Sequence, residues 1–398
     1  MKKRRWFVAL ILTISMIINV TQMQADVYAA GEEPSQLYGQ SVLLLDGDSG
    51  RVLFEKNGYE KRPMASTTKI MTCIVALEQA GLDEVVVVSE RAAKAPDVQM
   101  NICTGEEYYL GDLLYGLMLE SYNDVAMAIM DHIPDFIAKM NAKAVELGCA
   151  DTHFVTPNGL DGEDDAGVHS TTARDLATIM RYCIKNQDFL TITETDSYTI
   201  DEIHGARTAT AHNHNALLKN YDNVISGKTG FTGNAGYCYV GAVQEGERTF
   251  IAVTLASGWP PHKGYKWEDM RKLFDYAKIN YQYHDYDLQQ LLPEYIDVEG
   301  GQTAKLGEHA QIGVTLEKET LHLLTADSDI VKASLNLPEQ LAAPVVAGNI
   351  AGTVGISVND NLYETIPVTF ANGVEPVDFS WCLDQIFKYF VEYEVVIP

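Results

Sequence analysis

The chain is short of positive charge. Its 398 residues include 29 lysines and arginines against 55 aspartates and glutamates, a formal net charge of −26. That balance argues against nucleic-acid binding, because phosphate contacts need clustered cations. It also disfavours a generally anionic substrate, although a local cationic pocket can still capture one carboxylate. The acidity suits a protein that must stay soluble. No Cys/His spacing resembles a zinc site, and neither a metal nor a cofactor is implied. Internal repeats and low-complexity blocks are missing as well. The six cysteines (73, 103, 149, 183, 238 and 382) are scattered. An even number in an exported chain permits disulfides. However, Cys73, Cys183 and Cys238 sit among apolar residues like small hydrophobes, which points to mostly free thiols.

Beyond the N-terminus there is no apolar run long enough to cross a bilayer. At the N-terminus, Lys2-Lys3-Arg4-Arg5 precedes apolar residues from Trp6 to Val20, and Val27-Tyr28-Ala29 offers small residues at a cleavage spacing. The pattern predicts a secretory signal peptide over residues 1–29 and an exported, extracytoplasmic mature chain at the cell wall or the outer face of the cytoplasmic membrane. An uncleaved anchor helix is the alternative.

Hydrophobic residues make up 46% of the chain, enough for a full core and two domains. Ser41 to Asp46 and Arg51 to Glu55 flank the turn Gly47-Asp48-Ser49-Gly50, which predicts a hairpin. A helix follows with Ile70, Ile74, Val75 and Leu77 buried, stopped at Gly81. Leu113, Leu114, Leu117 and Met118 predict another helix, broken by the polar run Glu120 to Asp124 and resumed through Ala126 to Met130. Further helices are expected over Phe136–Leu147, Leu176–Ile184 behind a capping box at Thr172 to Asp175, and Lys266–Tyr281. Tyr237 to Val243 and Thr249 to Leu255 read as an antiparallel hairpin. Helices inserted between early and late strands predict an α+β domain over residues 30–290, with one sheet built from both ends of it. From Leu292-Pro293 onward short alternating strands take over, including Ile312–Leu316, Leu321–Leu324, Thr353–Val358 and Glu364–Phe370. They predict a small β domain over residues 291–377. In the tail, 378–398, Phe379, Cys382, Leu383, Ile386, Phe387 and Phe390 form one stripe of an amphipathic helix. It suits either a membrane interface or docking onto the protein itself.

The chemistry gathers around Ser66-Thr67-Thr68-Lys69. A serine and a lysine three apart share a helix face. A hydroxyl needs a base to become a nucleophile, and Lys69 serves only if desolvation or a nearby cation keeps its amine neutral. Lys228 in Lys228-Thr229-Gly230 supplies such a cation. Ser121-Tyr122-Asn123 offers a proton relay at Ser121 and an amide at Asn123 to hold a substrate backbone. Ser-x-Asn recurs at Ser334-Leu335-Asn336 and Ser357-Val358-Asn359, so the tripeptide alone is weak. Only the first copy interrupts an apolar stripe in the domain that holds Ser66. Ser66-x-x-Lys69 and Lys228-Thr229-Gly230 each occur once.

This ordered set resembles the penicillin-recognising serine enzymes. More closely, it is similar to the low-molecular-mass penicillin-binding proteins that act as D-alanyl-D-alanine carboxypeptidases, through Ala65 to Thr72, Thr156-Pro157-Asn158-Gly159-Leu160 and Gly227 to Thr232. The resemblance implies a β-lactamase/transpeptidase-like domain followed by a small all-β domain. It further implies Ser66 as acyl-ester nucleophile, Lys69 as general base and Ser121 as proton shuttle. Substrate would be bound by Asn123, Lys228, Thr229, Gly230 and Phe231, with the backbone N–H groups of Ser66 and Phe231 as the oxyanion hole. The implied partners are peptidoglycan stem peptides, β-lactams as covalent inhibitors, and a membrane touched through the tail. Tyr122 departs from the glycine common in relatives, which would narrow the cleft or change acceptor preference. The acidic tail departs from more basic ends. No E-x-x-L-N element is present, which disfavours a β-lactamase. A D,D-endopeptidase would use the same residues, as would a receptor that acylates without turnover.

Overall fold

A computed structural model describes residues 16–22 and 32–393. Chain contacts divide it into two units, Gly31–Tyr281 and Gln282–Pro398 with the N-terminal residues. The division falls upstream of the composition change at Leu292-Pro293.

The first unit is built on a five-stranded antiparallel sheet. Strands β1 (Ser41–Asp46) and β2 (Val52–Lys56) come from its start, and β3 (Val224–Thr232), β4 (Gly236–Glu245) and β5 (Arg248–Leu255) from its end. Their order is β3-β4-β5-β1-β2, with Leu43 opposite Val253 and Leu44 opposite Ala252. The chain therefore closes on itself in mid-sheet, as the sequence pattern predicts. Val42, Leu43, Leu44 and Leu45 are all fully buried, so β1 has no solvent face. A strand covered on both faces reads as a continuous apolar run instead of an alternating one. Helices α1 (Lys69–Gln79), α2 (Asn123–His132) and α3 (Ala173–Cys183) belong to the large core cluster, and α4 (Tyr265–Asn280) packs on β5 and β4. α1 is buried from Lys69 to Ala76 without interruption, which makes it a core helix.

Asp46 shapes the β1–β2 turn by accepting from the Asp48 and Ser49 N–H groups at 3.1 and 3.3 Å. At α3 only half of the expected capping box forms. Thr172 accepts from the Asp175 N–H at 3.0 Å, while the Asp175 carboxylate turns to the Asp151 N–H and the Thr152 hydroxyl at 3.0 and 2.8 Å. The tertiary partners outcompete the helix's own N-terminus for it.

The second unit is β-rich, with its own core cluster that includes Ile312, Leu321, Leu323, Val354, Ile356 and Val368. Its five-stranded sheet runs Met16–Gln22, Val331–Pro338, Ile350–Val358, Asn361–Phe370 and Val314–Leu316, and a three-stranded sheet accompanies it. The strand expected over Ile312–Leu316 is two strands: Ala310–Ile312 joins the smaller sheet, and Val314–Leu316 the larger. Gly313 marks the point where the chain changes sheets. Of the predicted signal peptide, only Met16–Gln22 lies within the described residues. The tail helix spans Phe379–Tyr393, with Phe379 at 83%, Phe387 at 64% and Phe390 at 66% exposure. Among the described residues no helix is long and apolar enough to cross a membrane, and all six cysteines are free.

Candidate active site

Ser66 stands on a tight 3-10 turn, Ala65–Thr68, and the α-helix begins only at Lys69. Ala65 adopts φ 48°, an uncommon conformation for a residue with a Cβ. The turn is held from both sides. Thr67 Oγ1 donates to the Met64 carbonyl at 2.6 Å, and Thr68 Oγ1 meets His169 Nε2 at 2.8 Å. His169 Nδ1 accepts the Val155 N–H at 3.0 Å, so its proton resides on Nε2 and points at Thr68. Burial drives this imidazole down to about 4, keeping it neutral.

Lys69 is completely buried. Its Nζ lies 3.0 Å from Ser66 Oγ, 2.8 Å from Asn123 Oδ1 and 2.8 Å from the Asn158 carbonyl. An uncharged amine has two N–H donors and one lone pair. The two carbonyl-type oxygens can only accept, so they take the donors and leave the lone pair for the Ser66 hydroxyl. Desolvation lowers the Lys69 amine well below its ordinary range, the Lys228 charge lowers it further, and Asp124 opposes both. Burial and the Lys228 charge both favour the neutral amine, and in that form its lone pair is aimed at the hydroxyl.

Ser121 arrives by an unusual route. The helix expected through Leu117 and Met118 is α-helical over Leu110–Tyr115 and then widens into a π turn, Gly116–Glu120. Ser121 follows in the left-handed region, φ 67°, and α2 starts two residues later. Such π turns recur at functional sites. The Ser121 hydroxyl is buried without a hydrogen-bond partner on the cleft wall beside Ser66. Tyr122 packs against the core beside Gly116 and is not among the cleft-lining residues. Asn123 has both ends of its amide occupied, Oδ1 by Lys69 and Nδ2 by the Pro96 carbonyl at 3.0 Å. This amide therefore orients the lysine. Asp124 fastens the neighbouring loop through the Met100 and Ile102 N–H groups at 3.0 and 3.2 Å.

Edge strand β3 carries Lys228, Thr229, Gly230 and Phe231 past the serine. A Cβ at Gly230 would sit 2.9 Å from the Ser66 nitrogen and 3.0 Å from that of Thr67. Only glycine lets the strand approach this closely. Lys228 is 2% exposed, its Nζ donates to the Thr229 carbonyl at 3.3 Å, and burial brings it down to about 7. Thr229, Gly230 and Phe231 line a cleft of about 550 Å³ with Ser66, Ser121 and Tyr237. The other two Ser-x-Asn copies lie at strands of the second unit.

Three contributors escaped the sequence reading. The Asn158 carbonyl binds Lys69, and a backbone oxygen has no side-chain signature. His169 supports the turn from far along the chain. Lys266, at the start of α4, lines the same cleft, where it packs over the Tyr237 and Trp267 rings and donates to the Lys263 carbonyl at 2.7 Å. Burial lowers it to about 8. A wider depression of about 750 Å³ beside Ser89, Arg91 and Asp131 lacks such chemistry, because these polar groups bind one another. Among the described residues no cluster of His, Cys, Asp or Glu is arranged to hold a metal.

Residues 28–258 match the family model of the D-alanyl-D-alanine carboxypeptidases, peptidase family S11. The chain belongs to this family. It is a serine-type D-alanyl-D-alanine carboxypeptidase, a hydrolase of the penicillin-binding protein class. It is 30% identical to the carboxypeptidase DacD of Salmonella typhimurium over 94% of this chain and 95% of that one. With DacF of Bacillus subtilis it shares 28% identity, covering 88% and 90% of the respective chains. The structure of penicillin-binding protein 5 from Haemophilus influenzae superposes with a TM-score of 0.68 at 24% identity, over 87% of this chain and all of that one. That likeness establishes the fold of the carboxypeptidase through its C-terminal β region.

Proposed function

We propose that Ser66 is the nucleophile of this carboxypeptidase and Lys69 its base, acting on the terminal D-Ala-D-Ala bond of peptidoglycan stem pentapeptides. The observation that carries this is the 3.0 Å approach of a buried, otherwise saturated Lys69 amine to Ser66 Oγ. Lys69 takes the hydroxyl proton as Oγ bonds to the penultimate D-alanine carbonyl carbon. Ser121, whose hydroxyl lacks a competing partner, gives its proton to the leaving amine as the C–N bond breaks and takes the proton held on Lys69 in its place, which restores the free amine. Water, deprotonated by Lys69, then cleaves the ester and frees the shortened peptide. The N–H groups of Ser66 and Phe231 stabilise the oxyanion, and loss of one such donor costs about a hundredfold or more. Lys228 and Thr229 receive the terminal carboxylate, and β-lactams acylate the same serine. The test is D-alanine release from a pentapeptide together with intact mass after penicillin treatment. Ser66→Ala is expected to abolish both product and adduct, and unchanged activity in that variant rejects the nucleophile.

The predicted signal segment supports export to the outer face of the cytoplasmic membrane or the wall. The exposed apolar stripe of the tail helix supports peripheral contact with a lipid interface, which sedimentation with vesicles reads directly. Binding unaffected by removal of residues 378–398 overturns that contact.

A further inference from the structure

Asp161 is an exposed carboxylate on the loop whose Asn158 carbonyl holds Lys69. The loop is fixed locally. The Leu160 N–H donates to Asn158 Oδ1 at 3.0 Å, and Thr156 Oγ1 donates to the Leu160 carbonyl at 3.0 Å. Asp161 Oδ1 accepts from Thr232 Oγ1 at 3.3 Å, and that hydroxyl in turn accepts from the Ala235 N–H at 3.0 Å. Among the described residues the second carboxylate oxygen has no hydrogen bond, and no cation pairs with it. Thr232 is the last residue of β3, directly after Phe231, and β3 is the edge of its sheet. A carboxylate with one oxygen spare is thus fixed at the end of the strand that carries the substrate-binding residues.

The strand acts as a ruler. With the terminal carboxylate at Lys228 and Thr229 and the scissile carbonyl at the Phe231 N–H, the bound peptide runs antiparallel to β3. The penultimate D-alanine then lies opposite Phe231, and the residue before it lies opposite Thr232. Directly opposed residues of the L configuration send their side chains to the same face, with Cβ atoms about 4.5–5.5 Å apart. Thr232 shares its face with Lys228 and Gly230. That face looks towards the nucleophile turn, since a Cβ at Gly230 would sit 2.9 Å from the Ser66 nitrogen. An L side chain opposite Thr232 therefore runs beside Asp161, away from the exposed Phe231 ring. We propose that Asp161 determines specificity for the residue preceding D-Ala-D-Ala: its carboxylate pairs with the ammonium that ends an L-diamino acid side chain. The inference rests on the roles of Ser66, Lys228, Thr229 and Phe231 given above. A neutral side chain at that position gains nothing from Asp161, and an acidic one is repelled.

The test is D-alanine release by the full chain from acetyl-L-Lys-D-Ala-D-Ala, with its side-chain amine either free or acetylated. The ratio of the two kcat/KM values cancels any general loss of activity. An exposed ion pair is worth up to about fivefold, so the wild type should prefer the free amine roughly three- to fivefold. Asp161→Asn keeps an acceptor for the Thr232 hydroxyl and should bring the ratio to about one. Asp165→Asn makes the same change of charge at an exposed position further along the chain and should keep the wild-type ratio. A wild-type ratio already near one overturns the proposal, as does a ratio unmoved by Asp161→Asn. An equal fall in Asp165→Asn also overturns it, because the preference then belongs to the acidic surface as a whole. Release from neither peptide, or a Ser66 that penicillin never modifies, overturns the site assignment itself, and the proposal with it.

Discussion

Gly159 offers a quantitative test of how the Ser66 turn is held. Its φ of 86° already disfavours any side chain, and a Cβ there would lie 2.0 Å from the Ala65 carbonyl oxygen and 2.9 Å from the Ser66 nitrogen. Gly159→Ala therefore incurs about 1–2 kcal/mol for the left-handed backbone. The overlap adds roughly 1–3 kcal/mol, because its partners are backbone atoms that cannot swing aside. The sum, about 2–5 kcal/mol, corresponds to a drop in Tm of roughly 5–20 °C for a domain of this size. Gly105 is the internal control. Its φ is 88°, yet nothing lies within 4 Å of a Cβ there, so Gly105→Ala should show the backbone cost alone. The clash also displaces the turn bearing the Ser66 N–H, so acylation by penicillin should slow by about a hundredfold. Gly230→Ala, which has no φ penalty, should impair acylation more than stability. The assays are thermal unfolding and the second-order acylation rate. The reasoning is refuted if Gly159→Ala melts with Gly105→Ala and acylates like the wild type.

His169 predicts an acid limb of stability. Its folded value of about 4 lies below the ordinary 6.5, so the unfolded chain binds the proton more readily. The stabilisation is complete above 6.5 and is lost as pH falls towards 4, about 3 kcal/mol in total. Urea unfolding across that range should show it, and His169→Gln should flatten the dependence; an equally steep profile in the variant refutes the assignment. Asp269 is fully buried and accepts from the Tyr38 and Gly39 N–H groups at 2.8 and 2.7 Å and the Ser257 hydroxyl at 2.9 Å. Asp269→Ala should cost roughly 3–5 kcal/mol by stranding those donors, and a loss under 1 kcal/mol in urea titration contradicts that.

The Ser66/Lys69 spacing and the Lys228-Thr229-Gly230 run were legible because each encodes chemistry locally, in residue types at fixed separations. The closure of one sheet by strands from both ends was legible too, since β1, β4 and β5 are apolar runs bounded by turn residues. The half-formed capping box at Thr172 was not, because Asp175 found partners in residues 151 and 152 that no local pattern announces. The π turn was hidden for a related reason: Leu113, Leu114, Leu117 and Met118 keep a helical period whether the helix widens or not. The Asn123 amide, read as a hand for substrate, also holds Lys69 and the Pro96 carbonyl, contacts that no local pattern announces.

By itself the sequence determined which groups are available, the hydroxyl, the amines and the glycines, and the order in which the chain presents them. Only the tertiary structure decided that Lys69 is wholly buried, that the Asn158 carbonyl consumes one of its donors, and that Lys228 is buried within the same unit. Burial and through-space charge depend on residues far apart along the chain, and those quantities set whether a lysine near a serine is a solvated cation or a base.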